Sequence, residues 1–183
     1  MSEKSAASLV EKKAKILIKL RNYQVLETKE YKNATGIFVK TPKRKFMVYC
    51  IPSESTVGVA YVNQLAKILT DEEMERAVVV TNGRYTQAAR KKARKHGIEL
   101  IPRIFPAFNL FDHVLVPKHE ILSSKEREEL LAKYRVEPYQ LPRIRISDPA
   151  VIAIGAKAGD VVKVVRNSPT AGEYLAYRYV VPG

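Results

Sequence analysis

The chain has 183 residues, 46% of them apolar and 28% charged, with a formal net charge of +13. That length and apolar content can supply a folded core without metal or disulfide staples, and the lone Cys50 cannot close an internal disulfide. No apolar run approaches the roughly 20 residues that cross a bilayer, and the amino terminus lacks the apolar segment of a secretory signal, so a reducing, cytoplasmic setting with no membrane partner is expected.

Residues 8–20 set Leu9, Lys13, Ile16, Leu17 and Leu20 at helical spacing with Lys and Glu opposite, which predicts an amphipathic helix. The runs YQVLE, GIFVK and FMVYCI that follow are short, rich in β-branched and aromatic residues and separated by polar turns such as TPKRK. They predict strands. Residues 62–69 return to a helical period, and residues 70–73 read as a turn or the start of another short helix. AVVVT at 77–81 is a continuous apolar run of the kind that a sheet buries on both faces. Asn82 and Gly83 break it, Thr86 caps a helix over 87–96, and Gly97 supplies the left-handed stop. With IELI at 98–101 as the next strand, this is a βαβ unit, which implies an α/β domain with a mixed or parallel sheet.

Pro102, Phe105, Pro106 and Phe108 punctuate the chain, and the predicted division is into domains 1–106 and 107–183. The first holds 21 Lys and Arg against 10 Asp and Glu, a net of +11, while the second holds 11 against 9, a net of +2. A strongly basic domain joined to a nearly neutral one suits a polyanion on one side and protein on the other. In the second domain, residues 123–135 predict a helix with a capping box in Ser123 and Glu126, Leu130, Leu131 and Tyr134 on one side, and a Glu129 to Lys133 pair. Residues 161–166 and 174–180 flank NSPTAGE and predict a hairpin with a turn longer than two residues. Tyr139, Tyr174, Tyr177 and Tyr179 suit a protein interface.

Three histidines, one cysteine and no Gly-rich phosphate loop leave little from which to assemble a metal or nucleophilic site, and no cofactor is implied. His113 and His119 lack a third ligand and read as turn or interface hydrogen-bonding groups, while Cys50 reads as a small buried apolar residue. The basic residues point to phosphate instead. Lys40, Lys43, Arg44 and Lys45 cluster in one hairpin turn. Arg90, Lys91, Lys92, Arg94 and Lys95 decorate a helix whose start at Thr86 and Gln87 offers free backbone amides to an anion. No base-reading group stands out, so the expected ligand is double-stranded DNA bound non-specifically.

Four motifs, HVLVPKH at 113–119, LSSKEREELLAKYRV at 122–136, LPRIRISDPAV at 141–151 and GAKAGDVVKVVRNSPTAGEYLAYRYVV at 155–181, together resemble a small archaeal RNA polymerase subunit, the counterpart of the carboxy-terminal part of the fifth-largest subunit of the eukaryotic enzymes. The resemblance implies a small α+β assembly module that docks on the largest polymerase subunit and performs no chemistry. On these motifs and the residues between them, His113, Pro117, Lys118, His119, Tyr139, Arg143, Arg166 and Tyr177 are the expected interface.

VVVTNGRYTQAARKKARKHGIELI resembles the last part of a restriction-endonuclease-like domain of the Mrr group, and the eukaryotic polymerase subunit also carries a nuclease-like jaw near downstream DNA. In that jaw a Thr-Pro-Ser-Ala element opens the equivalent helix; here Thr86 and Ala89 match its ends while Gln87 and Ala88 depart. Nucleases of this fold hold a metal with an Asp on one core strand and a Glu-x-Lys element on the next. Residues 31–53 contain no Asp or Glu, and Glu30 and Glu54 only flank the strands. The expectation is a non-catalytic component of a nucleotidyltransferase complex, associated with the nucleoid through polymerase. The alternatives are an active Mrr-like metal-dependent nuclease tethered to polymerase and a free nucleic-acid-binding protein.

Overall fold

Apolar runs punctuated by polar turns build two units, Met1–Phe108 and Asn109–Gly183, in a computed structural model that describes residues 3–31, 34–42, 44–52, 56–74, 76–168 and 172–182. The first opens on α1 (Glu3–Leu20), which begins earlier than its periodicity suggests. Its buried stripe is Val10, Lys13, Ala14, Leu17 and Ile18, whereas Leu9, Ile16 and Leu20 are only half-buried. The stripe is rotated because Ala14, small enough to sit against a sheet, lies at its centre. Lys13 tolerates burial by donating from Nζ to the Arg103 carbonyl at 2.7 Å. Burial, and then the charge of Arg103, hold its pKa below the usual lysine range.

Strands β1 (Gln24–Tyr31), β2 (Ala34–Lys40) and β3 (Lys45–Ile51) form an antiparallel meander. After β4 (Thr56–Val57) and α2 (Val59–Asp71), β5 (Ala77–Thr81) lies parallel to β3, with Met47 opposite Ala77 and Ile51 opposite Thr81. β6 (Arg84–Tyr85) then pairs with β4, α3 (Gln87–Lys95) crosses over, and β7 (Ile98–Leu100) completes a mixed sheet of order β1-β2-β3-β5-β7. α1 packs on β3 and β5. Val62, Leu65 and Leu69 of α2 and Ala89 and Ala93 of α3 bury against Phe38, Met47, Tyr49 and Val79. Cys50 is buried in β3.

The second unit has a four-stranded sheet of order β8-β10-β11-β9. Its strands are β8 (Lys118–Ile121), β9 (Arg143–Arg145), β10 (Val161–Ser168) and β11 (Gly172–Val181), with α4 (Ser124–Tyr134) and α5 (Pro149–Ile154). The Ser123 and Glu126 capping box forms, with Ser123 N donating to Glu126 Oε2 at 2.8 Å. The expected Glu129 to Lys133 pair does not: Glu129 turns instead toward Lys125, at 3.9 Å. The hairpin ladder runs on to Ser168 opposite Gly172, beyond the strand ends expected at Arg166 and Tyr174, and the turn between lies outside the described residues. Val162, Val164 and Val180 pack against Val151 of α5.

Candidate nucleic-acid interface

The parallel register fixes where the basic groups of the first unit lie. β3, β5 and β7 run together, so the residues after Thr81 emerge at the carboxyl edge of the sheet, where ligands of open α/β sheets bind. The loop there is tied down from several sides. Thr86 N donates to the Val57 carbonyl at 3.2 Å, and Gly83 N donates to Thr81 Oγ1 at 3.1 Å. The Tyr85 hydroxyl sits 3.1 Å from the Val79 carbonyl and 3.0 Å from the Ile101 carbonyl and shares its proton between them. Burial raises the pKa of this phenol, so it remains a donor. Asn82 is 8% exposed, yet neither its Oδ1 nor its Nδ2 meets a partner among the described residues.

Thr86 caps α3 as the sequence predicts: its Oγ1 accepts from Ala89 N at 3.1 Å. That bond leaves the exposed amides of Gln87 and Ala88 unclaimed among the described residues, the arrangement that favours an anion at a helix start. Ala89 and Ala93 face the core, while Arg90, Lys91, Arg94 and Lys95 are exposed. At 100° per residue those four span an arc of about 140°. None has an ion-pair partner among the described residues. Arg90 with Arg94 and Lys91 with Lys95 are like charges at i,i+4, each pair costing the helix roughly 0.2–0.5 kcal/mol. Arg94 and Lys95, in the last turn, are favoured by the helix dipole, whereas Arg90 and Lys91 gain nothing from it.

The second basic cluster lies elsewhere. Arg44 and Lys45 are exposed at the start of β3, while α3 begins past the far end of that strand, about 20 Å away along the sheet. Lys43 is outside the described residues. The structure therefore does not gather Arg44 and Lys45 with Thr86 and Gln87 around one phosphate. Arg44 is also engaged in the turn, its amide donating to Thr41 Oγ1 at 3.1 Å.

β2 and β3, the strands that would hold a nuclease metal, carry no Asp or Glu. Among the described residues no three His, Cys, Asp or Glu side chains gather into a metal-binding group. Glu30 lies on β1 opposite Thr35 and is exposed, and Glu54 is outside the described residues.

In the second unit the expected interface residues divide. Pro117, His119, Arg143 and Arg166 line one cleft. Tyr177 points the other way, its ring 6.4 Å from that of Tyr134 on α4. His113 accepts at Nδ1 from Leu115 N at 3.2 Å, Lys118 pairs with Glu120 at 2.9 Å, and Tyr139 is exposed in a short 3-10 turn. The motifs did not single out Arg178, Arg145 or Leu115, which also line the cleft: strand register brings the two arginines there, and Leu115 lies in the loop before β8.

Comparison with known proteins finds two families. One described as "RNA polymerase Rpb5, C-terminal domain" matches residues 108–180, and one described as "Restriction endonuclease" matches residues 3–104. The chain is 65% identical over 74 residues to DNA-directed RNA polymerase subunit Rpo5 of Thermococcus kodakarensis, covering 40% of this chain and 90% of that protein. It is 57% identical over 70 residues to the Rpo5 subunit of Nitrosopumilus maritimus, covering 38% of this chain and 84% of that protein. It is 32% identical over 139 residues to the DNA-directed RNA polymerases I, II, and III subunit RPABC1 of Caenorhabditis elegans, covering 74% of this chain and 66% of that protein. The last alignment is longer than the second unit and so runs into the first.

Proposed function

Because this chain belongs to the Rpb5/Rpo5 family of RNA polymerase subunits, and its first unit to the restriction endonuclease family, we propose that it is a non-catalytic polymerase subunit. Its second unit docks on the largest subunit, and its first lies along downstream double-stranded DNA. The observation that carries the DNA reading is the start of α3, where amides at Gln87 and Ala88 unclaimed among the described residues adjoin a basic face with no ion-pair partner among them. Contacts of this kind read phosphate and carry no sequence information. The RPABC1 alignment that enters the first unit supports treating that unit as an inherited part of the subunit.

The match of residues 3–104 to a restriction endonuclease family favours a second reading, metal-dependent cleavage. Against it stands the lack of any carboxylate on β2 and β3, since a metal that activates water needs such ligands.

Affinity purification of the tagged full chain from its own cells tests the assembly reading. Co-elution of the large polymerase subunits in stoichiometric amount is expected, and elution without them refutes it.

A further inference from the structure

One face of the second unit's sheet is only partly covered. α5 lies over Val162, Val164 and Val180. Beyond it, the antiparallel register sets His119 opposite Val164, with Arg166 two residues along β10 on one side and Arg178, opposite Val162, two residues away on the other. A cleft of about 680 Å³ opens there.

Its chemistry is lopsided. Among the described residues, Arg143, Arg145, Arg166 and Arg178 line it against one carboxylate, Asp148, whose Oδ1 already accepts from Ala150 N at 2.8 Å to cap α5. None of the four arginines has an ion-pair partner among the described residues. The nearest approach is a long contact of 3.4 Å from Arg178 Nη1 to the Arg143 carbonyl. His119 Nδ1 lies 2.7 Å from the Pro117 carbonyl, which can only accept, so Nδ1 carries the proton. Burial, with Arg178 and Arg166 beside it, holds the imidazole pKa down, although the Pro117 bond and Asp148 work the other way. His119 adds no charge to offset. The wall is apolar: Leu110 and Val116 line the cleft, Leu115 is 83% exposed and its neighbour Val114 is 97% exposed.

We infer that this cleft receives an extended acidic segment of the polymerase subunit on which the chain docks, with carboxylates meeting Arg166 and Arg178 and an apolar side chain between them against Leu110 and Leu115. The inference rests on the assembly reading and names the surface and the partner's chemistry. Guanidinium forks match carboxylates bidentately. Arg166 and Arg178 are four ladder positions apart, about 13 Å, which an extended chain covers between residues i and i+4. The expected pattern is acidic, any, apolar, any, acidic. Nucleic acid fits less well. The lining offers no Tyr, Phe or Trp on which a base could stack, and phosphates need no aliphatic wall.

The test uses the full chain added to its own polymerase stripped of this subunit. Arg166→Glu with Arg178→Glu should weaken retention at least tenfold, and the milder Arg166→Gln with Arg178→Gln should weaken it less, with circular dichroism unchanged. In Arg166→Lys, a zero-length carbodiimide should couple the new amine to a partner carboxylate within a segment of that pattern, identified by mass spectrometry. Full retention of both double variants overturns the inference while leaving assembly intact, as does coupling only to a segment without paired acidic residues. Loss of DNA binding with polymerase retention unchanged overturns it in favour of nucleic acid. Failure of the unaltered chain to bind polymerase sinks the assembly reading and this inference together.

Discussion

Replacing Arg90, Lys91 and Lys95 with Gln tests whether α3 meets phosphate. All three side chains are exposed, project from one side of the helix and lack ion-pair partners among the described residues. Each phosphate contact contributes about 0.9 to the slope of log affinity against log salt, so losing three flattens that slope by about 2.7. Between 50 and 200 mM salt, the advantage of the parent over the variant should therefore shrink about 40-fold. Binding of the full chain to a labelled duplex, by anisotropy across a salt series, reads this directly, and the change should be the same for unrelated sequences. Stability should change little: relief of the like-charge pairs, roughly 0.2–0.5 kcal/mol each, is offset by loss of the Lys95 charge from the last turn, so the melting temperature should stay within a few degrees of the parent's. A slope unchanged to within one unit refutes the contact. So does a flattening that appears instead in Arg44→Gln with Lys45→Gln, because it would put the duplex at the other edge of the sheet.

No cleavage of supercoiled plasmid is expected with Mg²⁺ or Mn²⁺; metal-dependent nicking abolished by Glu54→Ala would show a carboxylate site that the strands do not reveal. Glu99→Gln should cost about 2 kcal/mol in urea unfolding. It takes the carboxylate from the Arg21 guanidinium, which is 3% exposed and bonded to Glu99 at 2.6 and 2.9 Å, but Glu99 is half-exposed and the Tyr23 hydroxyl lies 3.4 Å from Arg21 Nη1, so the loss falls below that of a fully buried pair. Burial, with the charge of Glu11 adding to it, pushes the Cys50 thiol up to about 12, so it should resist thiol reagents until the protein unfolds. The native state then holds this proton where the unfolded thiol, near 8.5, has lost it. Stability from Cys50 is complete below about pH 8.5 and falls by about 1.4 kcal/mol per unit as pH rises toward 12. Against Cys50→Ala, unfolding free energies should converge over that range; a constant difference would refute the shift.

Much of the fold was legible because its signals are local. AVVVT became β5 at the expected bounds, since a five-residue apolar run between polar residues has few other uses. Thr86 and Ser123 announced their helices because a cap is a short-range hydrogen bond. β4, β6 and β9 were not legible: strands of two or three residues have no period and exist only because a neighbour pairs with them. α5 is likewise too short for periodicity, though Asp148 and Pro149 at its start are a readable cap. The basic face of α3 followed from helical spacing, whereas the separation of Arg44 and Lys45 from Thr86 follows only from parallel pairing of β3 with β5. The arginine cleft was hidden for the same reason. Arg178 neighbours His119 through two registers that no local pattern encodes.

On the proposed reading, the sheet of the first unit would hold DNA without cutting it. In such a fold the carboxylates sit where phosphate must lie, and a divalent metal is what makes anion beside anion favourable. Without the metal they would repel the backbone by roughly 1–4 kcal/mol per close pair near a protein surface. β2 and β3 carry Ala, Thr, Gly, Cys, Tyr, Lys and large apolar residues instead, so no such repulsion arises from them. On that reading, phosphate approaching the carboxyl edge of the sheet meets the Gln87 and Ala88 amides and the basic face of α3, with exposed Arg84 of β6 nearby. α3 runs back from that edge toward the end of the sheet where Arg44 and Lys45 lie, which leaves its last turn, with Lys95, nearer to them than its first. The two clusters cannot share a phosphate, but a duplex crossing the sheet could touch both. In that case their effects on the salt slope should add, because groups this far apart with no common partner do not couple.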